Sequence, residues 1–96
     1  MMKKVVYKIT YPNGKIYVGK DLTNTLTYFG SVNDVLVKKD FTEGQMKFFT
    51  VTKEILFESE DTEEVNKVEA KLIVELQANN PKIGYNVWPK FKKVIK

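Results

Sequence analysis

Residues 5–20 read VVYKITYPNGKIYVGK, which is two alternating runs separated by a short turn. Val5, Tyr7, Ile9 and Tyr11 occupy every second position, and this period of two is typical of a β-strand. The alternation resumes after the turn and continues to the glycine near the end of the segment. The pattern therefore predicts a β-hairpin.

The turn residues set the register of this hairpin. Proline suits the first position of a type I turn, and glycine accepts a left-handed backbone, so Pro12-Asn13-Gly14 predicts a three-residue loop with a bulge. This loop pairs Tyr7 with Gly19 and leaves Tyr7 and Tyr17 on one face. A two-residue turn would send the two phenols to opposite faces, because a slip of one residue inverts every side chain.

Gly19 has no side chain, so we expect open space beside Tyr7, where a ligand can approach the backbone. The alternative is that both tyrosines are ordinary strand aromatics that pack on a core.

The composition sets limits on the chemistry. The chain has 96 residues, enough for one domain over residues 1–96, and it contains no cysteine and no histidine. This excludes disulfides, thiolate nucleophiles, histidine acid–base catalysis and the usual zinc sites. No apolar run approaches the length of a membrane span, and no signal-peptide core follows the first residues, so we expect a cytoplasmic protein without a membrane partner.

The charges are unevenly distributed. Residues 1–57 carry nine lysines and five acidic residues, residues 58–88 carry three and seven, and residues 89–96 carry four lysines and no acidic residue. The first half and the basic tail at 89–96 can therefore face a polyanion while the acidic segment faces away. A solvated surface of mixed charge is the alternative.

Three further elements are predicted. Ser31 can cap a short helix from Val32 to about Lys39, although Val35, Leu36 and Val37 also suit a strand. Residues 49–57 are rich in β-branched and aromatic residues and predict a third strand with Val51, Ile55 and Phe57 on one side. Residues 61–78 predict the strongest helix, since Asp61 and Glu64 have the spacing of a capping box.

Glu69 lies in the middle of the apolar stripe of this helix, with Val65 four residues before it and Ile73 four residues after it. A carboxylate on a buried face needs a partner, because an unpaired buried charge is costly. That partner is a lysine, a tyrosine or a metal ion, unless Glu69 lies at the edge of the face and reaches water.

The end of the chain is aromatic and basic. Residues 84–88 read GYNVW and are expected to return to the sheet or to pack across it. In residues 89–96 lysines alternate with apolar residues. This tail is either an edge strand guarded by lysines or an arm that contacts phosphates, with Phe91 and Trp88 as stacking surfaces.

Taken together, these motifs resemble the GIY-YIG nuclease family. Val5-Val6-Tyr7 resembles its first motif and Tyr17-Val18-Gly19 its second, with a typical hairpin between them. The later family motifs are matched in order by Tyr28-Phe29-Gly30-Ser31, Lys53-Glu54-Ile55-Leu56, Glu69 and Gly84-Tyr85-Asn86-Val87.

The resemblance implies an α+β fold, a small three-stranded antiparallel sheet flanked by helices, and metal-dependent hydrolysis of DNA phosphodiester bonds. It implies that Tyr7 activates the attacking water, that Tyr17 supports the nucleophile or the phosphate, and that Asn86 supports the site. Glu69 would hold a single Mg²⁺ or Mn²⁺ ion, which suits a hard cation that also binds waters and substrate phosphate. A phenol needs nearby positive charge to act as a base, since its pKa is near 10.

The chain departs from the family in one important respect. The family carries an arginine that holds the scissile phosphate, and all sixteen basic residues here are lysine. Lys20, Lys38 or Lys39 can substitute, although lysine lacks the bidentate geometry of arginine. Lys90, Lys92 and Lys93 in the tail are further candidates for contact with DNA.

Three functions follow as hypotheses. The first is a DNA endonuclease, and the second is a catalytically degenerate nucleic-acid-binding module of the same fold. The third is a protein-binding domain that uses the aromatic residues around Trp88. Because the chain is short, target recognition is loose, or is achieved by a homodimer, or is supplied by a separate DNA-targeting partner.

Overall fold

The computed structural model describes residues 3–23 and 34–91. Its strands are β1 (Lys4–Thr10), β2 (Ile16–Asp21) and β3 (Thr52–Ser59), and its helices are α1 (Asp34–Lys39), α2 (Glu43–Met46) and α3 (Thr62–Glu75). The described strands form one antiparallel sheet in the order β2-β1-β3. This confirms the predicted α+β class with a three-stranded antiparallel sheet and helices.

The hairpin between β1 and β2 has the predicted register. Tyr7 pairs with Gly19 and Ile9 pairs with Tyr17. The loop closes through a hydrogen bond of 2.9 Å from the Tyr11 amide to the Lys15 carbonyl, and Gly14 has a φ of +87°. The loop therefore has three residues with glycine in the left-handed position, so both tyrosines lie on one face of the sheet.

The core lies on both faces of the sheet. Alternate residues of β1 point to opposite sides, because side chains alternate along a strand. On one face Val5, Tyr7 and Ile9 pack with Tyr11, Val37 of α1 and Tyr85. On the other face Val6 and Val18 pack with three residues at or after α3: Val65, Ile73 and Ala78. A central strand that is buried on both sides fixes the positions of the helices around it.

The predicted arrangement of β3 is wrong at one point. The pairing with β1 shifts between Val6 and Tyr7, so that Val6 opposes Phe57 and Tyr7 opposes Ile55. This bulge puts an extra residue into β3 and breaks its alternation. Phe57 therefore packs on the α3 face while Val51 packs on the opposite face, and the two do not share a side as predicted.

Helix α3 begins as predicted and ends earlier. The Asp61 carboxylate accepts a hydrogen bond of 3.0 Å from the Glu63 amide and caps the helix. The Asp61 amide donates to Ser59 Oγ at 3.0 Å, so the predicted capping box with Glu64 is not formed. The helix ends at Glu75 rather than near Ala78, because Gln77 takes a left-handed φ of 55° and turns the chain. Val65 and Ile73 are buried, as the apolar stripe predicted.

The segment before β3 is partly described. Helix α1 agrees with the end of the predicted short helix, whereas the Ser31 cap, the Val32 start and the Tyr28–Ser31 motif lie outside the described residues. Helix α2 was not predicted. Its capping box joins Thr42 and Gln45 through backbone-to-side-chain bonds of 2.8 and 3.1 Å.

None of the helices in residues 3–23 and 34–91 combines the length and the apolar character that a membrane crossing requires.

Candidate active site

Residues 83–86 extend the sheet beyond β2. The Ile16 amide donates to the Ile83 carbonyl at 3.0 Å, and the Tyr85 amide donates to the Ile16 carbonyl at 2.9 Å. Gly84 lies between them, and a Cβ atom there would come within 2.7 Å of the Ile16 carbonyl oxygen and of the Ala78 Cα. Only a residue without a side chain fits this close approach, so Gly84 lets the chain return to the sheet as predicted.

Asn86 continues this pairing with its side chain. Its Oδ1 accepts from the Val18 amide at 2.8 Å, and its Nδ2 donates to the Val18 carbonyl at 2.7 Å. Its own amide donates to the Ala78 carbonyl at 3.0 Å. The side-chain amide thus satisfies both backbone groups of a residue on the outer strand, between Tyr17 and Gly19. Asn86 has a supporting position beside the two predicted site residues.

A cleft of about 440 Å³ opens along this edge of the sheet. Its walls come from β2, from α3 and from the returning segment. The lining residues are Tyr17, Val18, Glu69, Ile73, Tyr85, Asn86, Val87 and Trp88. Three residues predicted from distant parts of the sequence, Tyr17, Glu69 and Asn86, therefore share one cleft.

Glu69 is the one carboxylate among the described residues that line the cleft. It is half-buried, and burial raises the pKa of its carboxyl because an apolar environment disfavours the charged form. The positive charge of Lys20 opposes this rise. Glu69 is therefore neither deeply buried nor free in solvent, and its charge is only partly compensated by the protein.

Lys20 lies next to this carboxylate. Its Nζ donates a short hydrogen bond to Oδ1 of Asn66, which precedes Glu69 by three residues on α3. Residues three apart on a helix share a face, so Asn66 holds the lysine beside Glu69. Of the three lysines predicted to replace the arginine, Lys20 has the best-defined position.

Tyr7 and Gly19 face each other across β1 and β2, beside Tyr17. The expected open space beside Gly19 is not there, because the Tyr7 side chain fills it. A Cβ atom on Gly19 would come within 2.7 Å of Tyr7 Cζ and 3.1 Å of Tyr17 Cε2. Tyr7 has no solvent-exposed surface. An aromatic ring that covers a cross-strand glycine stabilises the pair, and this packing corrects the expectation that a ligand approaches the backbone here.

Lys53 of β3 lies over the other side of this buried ring. Its Nζ is 4.9 Å from the Tyr7 ring centroid, close enough for a cation–π contact. The strand motif that contains Lys53 was matched in the sequence without a role for this side chain. The structure thus adds a positive charge next to Tyr7.

A polar network holds Tyr85, the next aromatic residue of the cleft. Its hydroxyl donates to Asp40 Oδ2 at 2.6 Å, and the same oxygen accepts from Lys15 Nζ at 2.8 Å. Asn13 Nδ2 donates to the Tyr85 oxygen at 3.0 Å. Burial, followed by the bond to Asp40, raises the pKa of Tyr85 to about 12. Hydrogen bonds from Lys15 and then Tyr85 lower the pKa of Asp40. Tyr85 stays protonated at neutral pH and is a structural donor.

None of the predicted lysines is among the described residues that line the cleft. Lys38 and Lys39 are exposed in the last turn of α1, and Lys90 is exposed after the cleft segment. Lys92 and Lys93 lie outside the described residues. Within residues 3–23 and 34–91, no three acidic side chains come together as a metal-binding group. The single-carboxylate ion site stays a prediction.

Sequence reasoning did not select Asn66, Lys53 or Tyr85. Asn66 had a detectable signal, its spacing of three from Glu69 on one helical face. The position of Lys53 depends on its contact with Tyr7 of β1, and that of Tyr85 on its bond to Asp40. Both contacts join distant parts of the chain, so no local sequence pattern predicts them.

Exchanging Asn86 for aspartate is expected to lower the free energy of unfolding by about 1–3 kcal/mol at neutral pH, since a carboxylate cannot donate to the Val18 carbonyl. A protonated aspartate can donate, so its folded-state pKa is raised and the deficit shrinks as the pH falls through that value toward the ordinary pKa of about 4. Denaturant unfolding of the wild type and N86D at several pH values measures this.

Asn80 provides the control. Its Oδ1 accepts from the Lys82 amide at 3.1 Å, a bond that aspartate keeps. Its Nδ2 donates to Gln77 Oε1 at 3.3 Å, and the exposed Gln77 side chain can turn its own N–H toward an aspartate. N80D should therefore unfold close to the wild type. Equal stability of N86D and the wild type at neutral pH would mean that the two Val18 bonds do not hold the segment.

No family model, curated protein or solved structure matches this chain.

Proposed function

We propose that this chain is a GIY-YIG-type endonuclease domain that hydrolyses DNA phosphodiester bonds with the help of a divalent ion. One observation carries the proposal. Tyr17, Glu69 and Asn86 belong to three separate motifs of the family resemblance, and they line a single cleft. A phenol and a partly buried carboxylate in one cleft are suitable groups for positioning a phosphate and a water molecule. Asn86 supports the wall of the cleft through its two bonds to Val18.

Glu69 is the residue that would hold Mg²⁺ or Mn²⁺. Its donor chemistry fits, because a hard cation takes carboxylate oxygen and completes its coordination with waters and substrate phosphate. Burial raises the pKa of this half-exposed carboxyl and Lys20 opposes the rise, so a cation bound there would favour its charged form. When bound, such an ion neutralises phosphate charge and lowers the pKa of a water molecule.

The two tyrosines take different roles in this proposal. Hydrolysis joins a water oxygen to phosphorus, breaks one phosphorus–oxygen bond and gives the leaving oxygen a proton. Tyr17 lines the cleft and is only partly buried, so its hydroxyl is the phenol that can contact the water or the phosphate. Tyr7 is enclosed beneath Gly19, which does not favour its predicted role in activating water. Tyr7 is a positioning residue for Tyr17.

Lys20 is the proposed phosphate contact. It is held beside Glu69 by Asn66, and its charge acts on the Glu69 carboxyl. Lys38 and Lys39 are exposed in the last turn of α1. A lysine attracts phosphate as a point charge without the two parallel bonds of an arginine. We therefore expect a slow enzyme. Its target recognition is loose, is achieved by a homodimer, or is supplied by a separate DNA-targeting partner.

The second candidate is a nucleic-acid-binding module that has lost catalysis. Two observations favour it: the enclosure of Tyr7 and the lack of any arginine in the sequence. It predicts DNA binding that weakens with salt and no cleavage above background.

A nicking assay on supercoiled plasmid DNA tests the proposal. The wild type should nick with Mg²⁺ or Mn²⁺ and not with EDTA. Y17F should lose on the order of 10²–10⁴ in rate, as expected for a group that moves or holds a proton, whereas Y7F should lose less than about tenfold. A larger loss of nicking rate in Y7F than in Y17F would indicate that Tyr7, and not Tyr17, acts directly on the water or the phosphate. Binding without metal-dependent nicking would establish the second candidate instead.

A further inference from the structure

Trp88 is the most exposed aromatic residue of the cleft. Its side chain is 74% exposed, and its neighbour Val87 is 53% exposed. A tryptophan that is left in solvent forgoes a large gain from burial, which marks its surface as a candidate for binding. This one also lines the cleft that contains Tyr17 and Glu69.

The segment that carries Trp88 is held firmly on both sides. Asn86, two residues before it, bonds to both backbone groups of Val18. Asn79 is buried and its Nδ2 donates to the Pro89 carbonyl, one residue after it, at 2.6 Å. The indole is therefore presented from a fixed backbone, and a ligand that stacks on it does not have to order the loop first.

The charge around Trp88 favours a nucleic acid as the ligand. Lys90 is exposed two residues further on, and residues 89–96 contain four lysines and no acidic residue. Lysines close in sequence to an exposed aromatic ring, as Lys90 is to Trp88, are typical of proteins that bind single strands, with the charges on the backbone and the ring on a base.

We propose that Trp88 is a stacking platform for an unpaired nucleobase, and that the cleft therefore takes a single-stranded segment of DNA in preference to a continuous duplex. Bases within a duplex are stacked on one another and offer only their edges to a protein. A flat contact with the indole needs a base outside the stack. This inference rests on the proposed function and adds to it the structural class of the substrate.

Intrinsic tryptophan fluorescence measures binding at Trp88 directly, because Trp88 is the single tryptophan in the chain. In low salt with EDTA, an oligothymidine should quench its fluorescence at lower concentrations than a blunt hairpin duplex with the same number of nucleotides. The anisotropy of a labelled oligothymidine gives the affinity independently. W88A should bind it about tenfold more weakly, the expected order for the loss of one stacked base, while W88F should restore part of the affinity.

Phe48 provides the matched control. It is 87% exposed and lies beside the hairpin turn, where it lines a different cleft from Trp88. F48A should bind the oligothymidine like the wild type, and circular dichroism should show that both alanine variants are folded.

The outcomes separate this inference from the proposed function. Equal binding of oligothymidine by W88A and the wild type, or equal quenching by duplex and single strand, would overturn the proposal that Trp88 stacks on an unpaired base. Plasmid nicking could still succeed in either case, so the proposed function would stand. Binding that moves anisotropy without changing tryptophan fluorescence would also overturn the proposal for Trp88. No binding to either DNA would overturn the inference, and if metal-dependent nicking were also absent it would overturn the proposed function and favour a protein partner for the exposed aromatic surface.

Discussion

Replacing Glu69 with glutamine is expected to reduce metal-dependent plasmid nicking by on the order of 10³, because the ion would lose its carboxylate ligand. Glutamine keeps the shape of the side chain and removes its charge. DNA binding in EDTA should be unchanged or slightly tighter, since a negative charge leaves the phosphate site. The nicking rate and the anisotropy of labelled DNA measure the two effects separately.

The same substitution is expected to stabilise the fold slightly at neutral pH. Burial raises the pKa of the Glu69 carboxyl, so the charged form destabilises the folded state. Below the ordinary glutamate pKa the wild-type carboxyl is neutral in both states and this penalty is absent. The advantage of E69Q therefore appears as the pH rises through the folded-state value and persists above it. It should be under about 1 kcal/mol, because water screens a half-exposed group.

Glu75 provides the control on the same helix. It is exposed and forms an ion pair of 3.7 Å with Lys71, one turn earlier. E75Q should nick DNA like the wild type and gain no stability, since exposed pairs contribute little. Comparable nicking by E69Q and the wild type would exclude Glu69 as the metal ligand. A clear loss of stability in E69Q at neutral pH would mean that the charged form is better compensated than the burial and the nearby Lys20 indicate.

The hairpin could be predicted in detail because its determinants are local. The chemistry of Pro12-Asn13-Gly14 sets the loop length, and the loop length sets which residues of β1 and β2 face each other. The position of Phe57 could not be predicted in the same way. The bulge opposite Val6 and Tyr7 depends on how β3 fits against β1, and nothing within residues 52–59 requires it.

In the candidate site, too, the features with local determinants could be predicted and those set by long-range contacts could not. Glu69 was found because a charge within an apolar helical stripe conflicts with its surroundings at short range. The use of the space beside Gly19 was predicted incorrectly, because the sequence does not reveal whether a ligand or the opposite ring covers a glycine. The position of Asn86 depends on its bonds to Val18, 68 residues earlier. The position of the Trp88 segment depends on the bond from Asn79 to the Pro89 carbonyl, which no local pattern predicts.

Gly84 is the position where a single methyl group is expected to cause the greatest loss of stability. A Cβ atom there would come within 2.7 Å of both the Ile16 carbonyl oxygen and the Ala78 Cα, and closer still to the Ala78 carbonyl oxygen. These are backbone atoms and cannot move aside as a flexible side chain can. G84A should therefore lose at least about 2 kcal/mol, which lowers the melting temperature by roughly 8 °C or more for a domain of this size.

The loss in G84A should extend to function, since residues 83–86 must separate from β2 to admit the methyl group. That movement would break the bonds between Asn86 and Val18 and open the cleft beside Glu69. Gly44 in α2 offers the same chemical change in open surroundings, because the nearest atom to a Cβ there is 4.0 Å away. G44A should be as stable as the wild type or gain up to about 1 kcal/mol. If thermal unfolding showed the two variants to be equally stable, the returning segment would not pack against β2 as closely as the structure has it.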